Sequence, residues 1–244
     1  MKTKFFISFP VIFLLAVHIS FSQSKETIAK YQKVDQPAFT IIYDQPSDMV
    51  TGAVQQRLKK DGISFRTGKG VISCKGVNYP VLADTSVNLY FLVEGRGRKG
   101  RDGSDLTLFI SKGPDHFISR QSDPHIAKNA LQYLNELQQN VNVYALQQQV
   151  STQQKTVDGK AKDYRKLLKA SHKLESKRYD LQRTLSSETN LSKQNKLRDK
   201  IHSLDKKINR NQSDIKSNQH DLMQAKDQLN FLQQQLSQQQ GQGK

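Results

Sequence analysis

The sequence predicts an α+β head followed by long coiled-coil helices, and three observations carry that prediction. First, Ile201, Leu204, Ile208, Asn211, Ile215, Asn218, Leu222, Ala225, Leu229, Leu232 and Leu236 recur in steps of three and four without a slip. A seam of this spacing describes a coiled coil roughly 50 Å long at 1.5 Å per residue. Second, the period is two in Val87–Glu94 and again in Asp105–Ser111. Val87, Leu89, Phe91 and Val93 share one face, as do Leu106, Leu108 and Ile110, the mark of an antiparallel sheet covered on one side. Third, apolar residues are dense from Ala38 to Leu137 and thin beyond Gln147, where Lys, Gln, Asn and Ser dominate. That distribution affords one core of about 90–110 residues.

In chain order, Met1–Lys4 supplies a positive start, Phe5–Val17 an apolar run and Ser20-Phe21-Ser22 a small-residue cleavage site. Residues 1–22 therefore read as a signal peptide, placing the mature chain in the periplasm or outside the cell. No other stretch approaches the roughly 20 apolar residues needed to span a bilayer. Residues 23–37 are polar and read as a flexible lead-in, and the head is expected to occupy 38–150.

Within the head, Ala38–Tyr43 is β-branched and aromatic, a strand. Ser47 is the expected N-cap of a helix whose inner face carries Val50, Ala53, Val54 and Leu58, with Gly62 ending it. Short apolar runs at 63–66 and 71–74 flank a Thr67–Gly70 turn, and Lys75-Gly76 reads as a second turn before 77–82. Asp123-Pro124 starts a second helix, cap followed by proline, with Ile126, Ala130, Tyr133, Leu134, Leu137, Val141 and Tyr144 as its apolar stripe. The order is β-α-β-β-β-β-α, a small antiparallel sheet covered by helices on one face. It is similar to TATA-binding-protein-like and helix-grip folds, a likeness that implies a curved sheet backed by helices and no function.

Gly159 is expected to interrupt any helix between the head and the coiled-coil region at 160–238. There Tyr164, Leu167, Leu174, Leu181 and Leu185 keep heptad spacing, with Ser171 and Arg178 at the intervening core positions. This register and that of Ile201–Leu236 disagree by two residues, which puts a break near 187–190: a discontinuity or a turn back. Asn211 and Asn218 in the seam select a pairing at some cost in stability. The leading expectation is an intermolecular coil; a parallel homodimer sets Lys200 opposite Asp205 and Asp221 opposite Lys226. An antiparallel hairpin with residues 160–186 and a lone helix are the alternatives. Residues 239–244 read as a disordered tail.

The formal charge is +16, or +14 without Lys2 and Lys4. A basic exported protein is drawn to anionic envelope surfaces, acidic glycans, extracellular nucleic acid or an acidic partner. Between Lys160 and Arg210, 16 Lys and Arg face 6 Asp and Glu. Without interleaved aromatics, that excess suits nonspecific anion attraction rather than base reading.

Gly95–Gly103 concentrates Arg96, Arg98, Lys99 and Arg101 on one loop, the candidate anion-binding residues. Its formal GxGxxG runs from strand to strand, whereas a dinucleotide site needs a strand entering a helix. Tyr90, Leu92 and Phe109 on the outer sheet face form a candidate partner surface, since apolar side chains there need a cover. The single Cys74 excludes an intramolecular disulfide. No signature makes it a nucleophile with His116 or His125 as base. No metal-ligand spacing involves the histidines, and His172, His202 and His220 sit in polar helices. No cofactor and no enzymatic activity are expected. The sequence reads as an exported interaction protein, a head on a basic coiled-coil stalk joining itself or a protein partner. The alternative is a binding module for an anionic ligand (envelope polymer, lipid head group or extracellular nucleic acid) acting through loop 95–103.

Overall fold

A computed structural model describes residues 23–68, 70–98, 102–113 and 116–241; the expected signal peptide lies outside them. The elements are β1 (Lys25–Tyr31), β2 (Val34–Tyr43), α1 (Ser47–Lys60), β3 (Arg66–Gly68), β4 (Val71–Tyr79), β5 (Ala83–Gly95), β6 (Ser104–Ser111), α2 (Pro124–Ser187) and α3 (Leu191–Gly241). The strands form one antiparallel sheet in the order β1-β2-β6-β5-β4-β3.

Residues 23–37 are not a flexible lead-in. They form β1 and the start of β2, paired from Lys25 opposite Thr40 to Tyr31 opposite Val34. The two-residue turn between them holds Gln32 and Lys33 at positive φ, 51° and 72°, the backbone that a tight antiparallel hairpin needs and that glycine or asparagine normally supplies. Two further local readings are corrected. Lys75-Gly76 is a bulge inside β4 rather than a turn: the register shifts between Cys74 and Val77. Gly76 takes φ +59° there and donates its N–H to Asn88 Oδ1 at 2.8 Å. Pro46 rather than Ser47 precedes the first turn of α1, without a side-chain cap.

The head core lies between one sheet face and α1 with the first third of α2. Phe39, Ile41, Leu89, Phe91, Leu106, Leu108 and Ile110 from the sheet meet Val50, Val54 and Leu58 of α1 and Ala130, Tyr133, Leu134, Leu137 and Val141 of α2. α1 ends with Gly62 N–H on the Lys59 carbonyl and Ile63 N–H on the Leu58 carbonyl. This Schellman pair satisfies carbonyls that the helix leaves open. Asp123 caps α2 by accepting from Ile126 N–H at 3.1 Å, and Lys112 Nζ holds its other oxygen at 2.8 Å.

From the head, α2 continues without interruption through Gly159. The surroundings of Gly159 are open, so its cost is only helix propensity, about 1 kcal/mol against alanine, and packing outweighs it. α2 ends at Ser187, and α3 begins at Leu191 and runs back antiparallel to it. Gln153 Nε2 donates to the Ala225 carbonyl, Lys160 pairs with Asp221 at 2.8 Å, and Arg178 with Asp205 at 3.6 Å. Near the head, Gln139 Nε2 donates to the Gln239 carbonyl at 3.2 Å. Residues 239–241 are thus helical rather than part of a tail, while 242–244 lie outside the described residues.

Candidate functional site

Every member of the seam from Ile201 to Leu236 is at least half-covered or buried. So are Tyr164, Leu167, Ser171, Leu174, Arg178, Leu181 and Leu185 of α2. The two apolar stripes cover each other within one chain, and the seam is not left open for a second copy. The turn lies where the two registers collide. Glu188 Oε1 accepts from Thr189 N–H and Asn190 N–H, and Asn190 Oδ1 caps α3 by accepting from Lys193 N–H at 3.1 Å. Asn211 Nδ2 reaches the Leu167 carbonyl at 3.4 Å, while the buried Oδ1 atoms of Asn211 and Asn218 meet no donor among the described residues.

What the pairing leaves outward is charge. The 28 residues from Lys160 to Ser187 form the distal part of α2, about 42 Å long, and residues 191–210 of α3 lie alongside. Of the 16 basic residues between 160 and 210, only Lys160 and Arg178 are not exposed. Four of them meet a carboxylate: Lys160, Lys166, Arg178 and Lys193. By contrast, residues 211–241 carry two lysines against three aspartates. The basic surface is confined to the end of the hairpin far from the head. Its chemistry is that of many exposed, hydrated cations, which attract extended anions without a fixed pocket.

The loop between β5 and β6 is less clearly basic. Arg96 and Arg98 are exposed, but Arg96 Nε lies 3.8 Å from Asp105, and Glu94 and Asp102 are close in the chain. Lys99 and Arg101 lie outside the described residues. The outer sheet face is also partly closed. Tyr31 at the end of β1 lies over it, with ring centroids 4.6 Å from Tyr90, 5.3 Å from Phe109 and 5.5 Å from Phe117. Phe109 is fully buried, which removes it from any partner surface; Tyr90 and Leu92 remain half-covered. Tyr31 belongs to the hairpin that its polar flanks concealed.

Cys74 is fully buried on β4 opposite Leu89, and burial pushes its thiol up to about 11. A thiol so held is protonated at neutral pH and a poor nucleophile. His116 and His125 sit exposed in the connection before α2 and in its first turn. One polar cluster was not anticipated. Arg57 of α1 donates to Asp61 at 2.6 Å and to Asn140 Oδ1 at 3.2 Å, with its guanidinium 5.5 Å from the Tyr133 ring centre. The Tyr79 hydroxyl also donates to Asp61, and burial raises Tyr133 to about 12. Burial opposes the Arg57 charge, and the hydrogen bond to Asp61, with the electrostatic pull of Tyr79, Asp61 and Tyr133, more than compensates. Each charged group in this cluster has its partner, so it acts as a clamp tying α1, β4 and α2 together. Among the described residues no group of three His, Cys, Asp or Glu is placed to hold a metal ion, and no helix is long and apolar enough to cross a membrane. Compared with known proteins, the chain matches no family model, no curated protein and no solved structure.

Proposed function

We propose that this is an exported, non-enzymatic interaction protein in which the head is a rigid base and the helical hairpin is an arm that contacts an anionic partner. The observation that carries the reading is the segregation of charge: ten excess positive charges lie between residues 160 and 210, while the returning part of α3 is nearly neutral. A basic residue that serves only solubility has no reason to concentrate at one end. The arm is favoured over loop 95–103 as the anion contact because Glu94, Asp102 and Asp105 offset the arginines there. Export rests on the signal-like character of residues 1–22, and the anion belongs to an envelope surface or polymer.

The test uses a fluorescent sulfated polysaccharide as probe, titrated with the chain from Gln23 onward at several salt concentrations. Binding is expected to weaken steeply with salt, as counterion release requires. Replacing Lys166, Lys169, Lys173 and Lys177 with Gln is expected to weaken it by roughly tenfold or more. Arg96→Ala with Arg98→Ala should change it little. Salt-independent binding, or a loop variant that loses more affinity than the arm variant, contradicts the assignment to the arm.

A further inference from the structure

The sheet has two outer strands, and they are protected unequally. β3 is three residues long, and a short edge is one way in which proteins avoid unwanted strand pairing. β1 is seven residues long, and among the described residues nothing pairs with its outer edge. At its centre Ile28 is 75% exposed. Side chains alternate along a strand, so Glu26, Ile28 and Lys30 share one face of β1, while Tyr31 reaches over the other.

We propose that the edge of β1 is a docking surface for a second copy of this chain, the two β1 strands pairing antiparallel about a two-fold axis through Ile28. In that register Ile28 meets Ile28 of the other copy, Glu26 lies opposite Lys30 twice, and Lys25 lies opposite Tyr31. Opposite charges directly across a strand pair are favourable and like charges are not. Shifting the register by two residues toward the turn sets Lys25 against Lys33 and Ile28 against Lys30, and shifting it the other way leaves Glu26 opposite Ile28 and Lys30 opposite Ser24, so only the alignment through Ile28 forms both Glu26–Lys30 pairs. Glu26 keeps its present bond in this arrangement. One oxygen accepts from Arg120 N–H at 2.7 Å, and the other stands 3.9 Å from Arg120 Nε, beyond hydrogen-bond distance, on a side chain that is 29% exposed. The proposal is independent of the anion-binding arm, because neither the seam nor the distal lysines take part.

A single strand pair lies at the small, weak end of protein interfaces, so the dimer must follow concentration by mass action. Sedimentation of the chain from Gln23 onward, over about a hundredfold range of concentration, is expected to show monomer passing to dimer. Ile28→Lys is expected to leave monomer throughout, with an unchanged far-ultraviolet circular dichroism spectrum because the position is exposed. Lys30→Glu should weaken the dimer, and Glu26→Lys added to it should restore it. Ile28→Cys should cross-link to itself under mild oxidation, whereas Tyr179→Cys, similarly exposed on α2, should not. A chain that stays monomeric and fails to cross-link through Ile28→Cys overturns the proposal. So does a dimer that Ile28→Lys leaves intact.

Discussion

The head and the arm contain apolar faces of comparable regularity, but they cover them to different extents. In the head, Phe39, Leu89, Phe91, Leu108 and Tyr133 are completely withdrawn from solvent between a sheet and two helices. In the distal arm the best-covered side chains are Leu204 and Ile208, at 6% and 4% exposure, and Asn211 and Asn218 share their stripe. Two helices touching along one line cannot surround a side chain as a sheet and two helices can. The head therefore owes its stability to volume, and the arm owes its own to a thin stripe and to being joined to the head by a continuous α2. A thinly covered apolar stripe and a dense cationic surface together suit a contact element more than a rigid spacer.

Substitutions should separate the two regions. The largest effect is expected from Phe91→Ala, which opens a cavity in the head core and should cost about 3–5 kcal/mol of global stability in chemical denaturation. Ile208→Ala should cost about 2 kcal/mol, the lower end for such a deletion, because the helix pair can collapse around the gap. Its effect should appear as faster hydrogen exchange in residues 160–210 with the head protected. A head that loosens equally would show that the arm is not a separate unit of stability.

Smaller effects sharpen the contrast further. Asp123→Ala removes the cap at the head end of α2 and should cost about 1 kcal/mol. The Lys112 ammonium and Ile126 N–H hold the Asp123 carboxyl below its ordinary value of 3.8. That contribution is present above the ordinary value and is lost as pH falls through the lower, folded one; Asp123→Ala should flatten the acid limb of the stability curve. Cys74 behaves in the opposite sense. Its folded value of about 11 lies above the ordinary 9.0, so its contribution is complete below pH 9.0 and is lost as pH rises toward 11. Cys74→Ala should reduce the alkaline loss of head stability in that window and leave the arm unchanged. Asn218→Leu should stabilise the arm by about 1 kcal/mol, since it removes a buried oxygen that has no donor.

The parts of the fold that were legible in the sequence were those with strong periods. The alternation in Val87–Val93 and Leu106–Ile110 marked β5 and β6, and Asp123-Pro124 marked the start of α2. The hairpin of β1 and β2 escaped because its turn is Gln32-Lys33 rather than an Asn-Gly pair and because Glu26, Ile28 and Lys30 give β1 no apolar face. Gly159 misled in the other direction: a weak local preference yielded to a helix held by contacts on either side. The seam itself was plain, but a seam names no partner. Heptad spacing is the same whether the opposite stripe is on another chain or earlier in the same one, and only the register conflict near Ser187 and the polar, cap-rich residues there pointed to a return. As for the candidate site, the excess of lysine and arginine was visible, but its separation at the far end of an arm was not, since that needs the turn at Glu188–Asn190.

The central claim is that α3 spends its seam on α2 of the same chain, leaving the basic end of the arm outward. Spin labels placed at Gln139→Cys and Gln239→Cys in a Cys74→Ala background test it directly by pulsed dipolar spectroscopy. The hairpin predicts a short distance typical of neighbouring helices, whose axes lie roughly 10 Å apart, and one that survives dilution with excess unlabelled chain. A separation approaching the roughly 150 Å of a continuous rod spanning those positions, or a short distance that disappears on dilution, would contradict it.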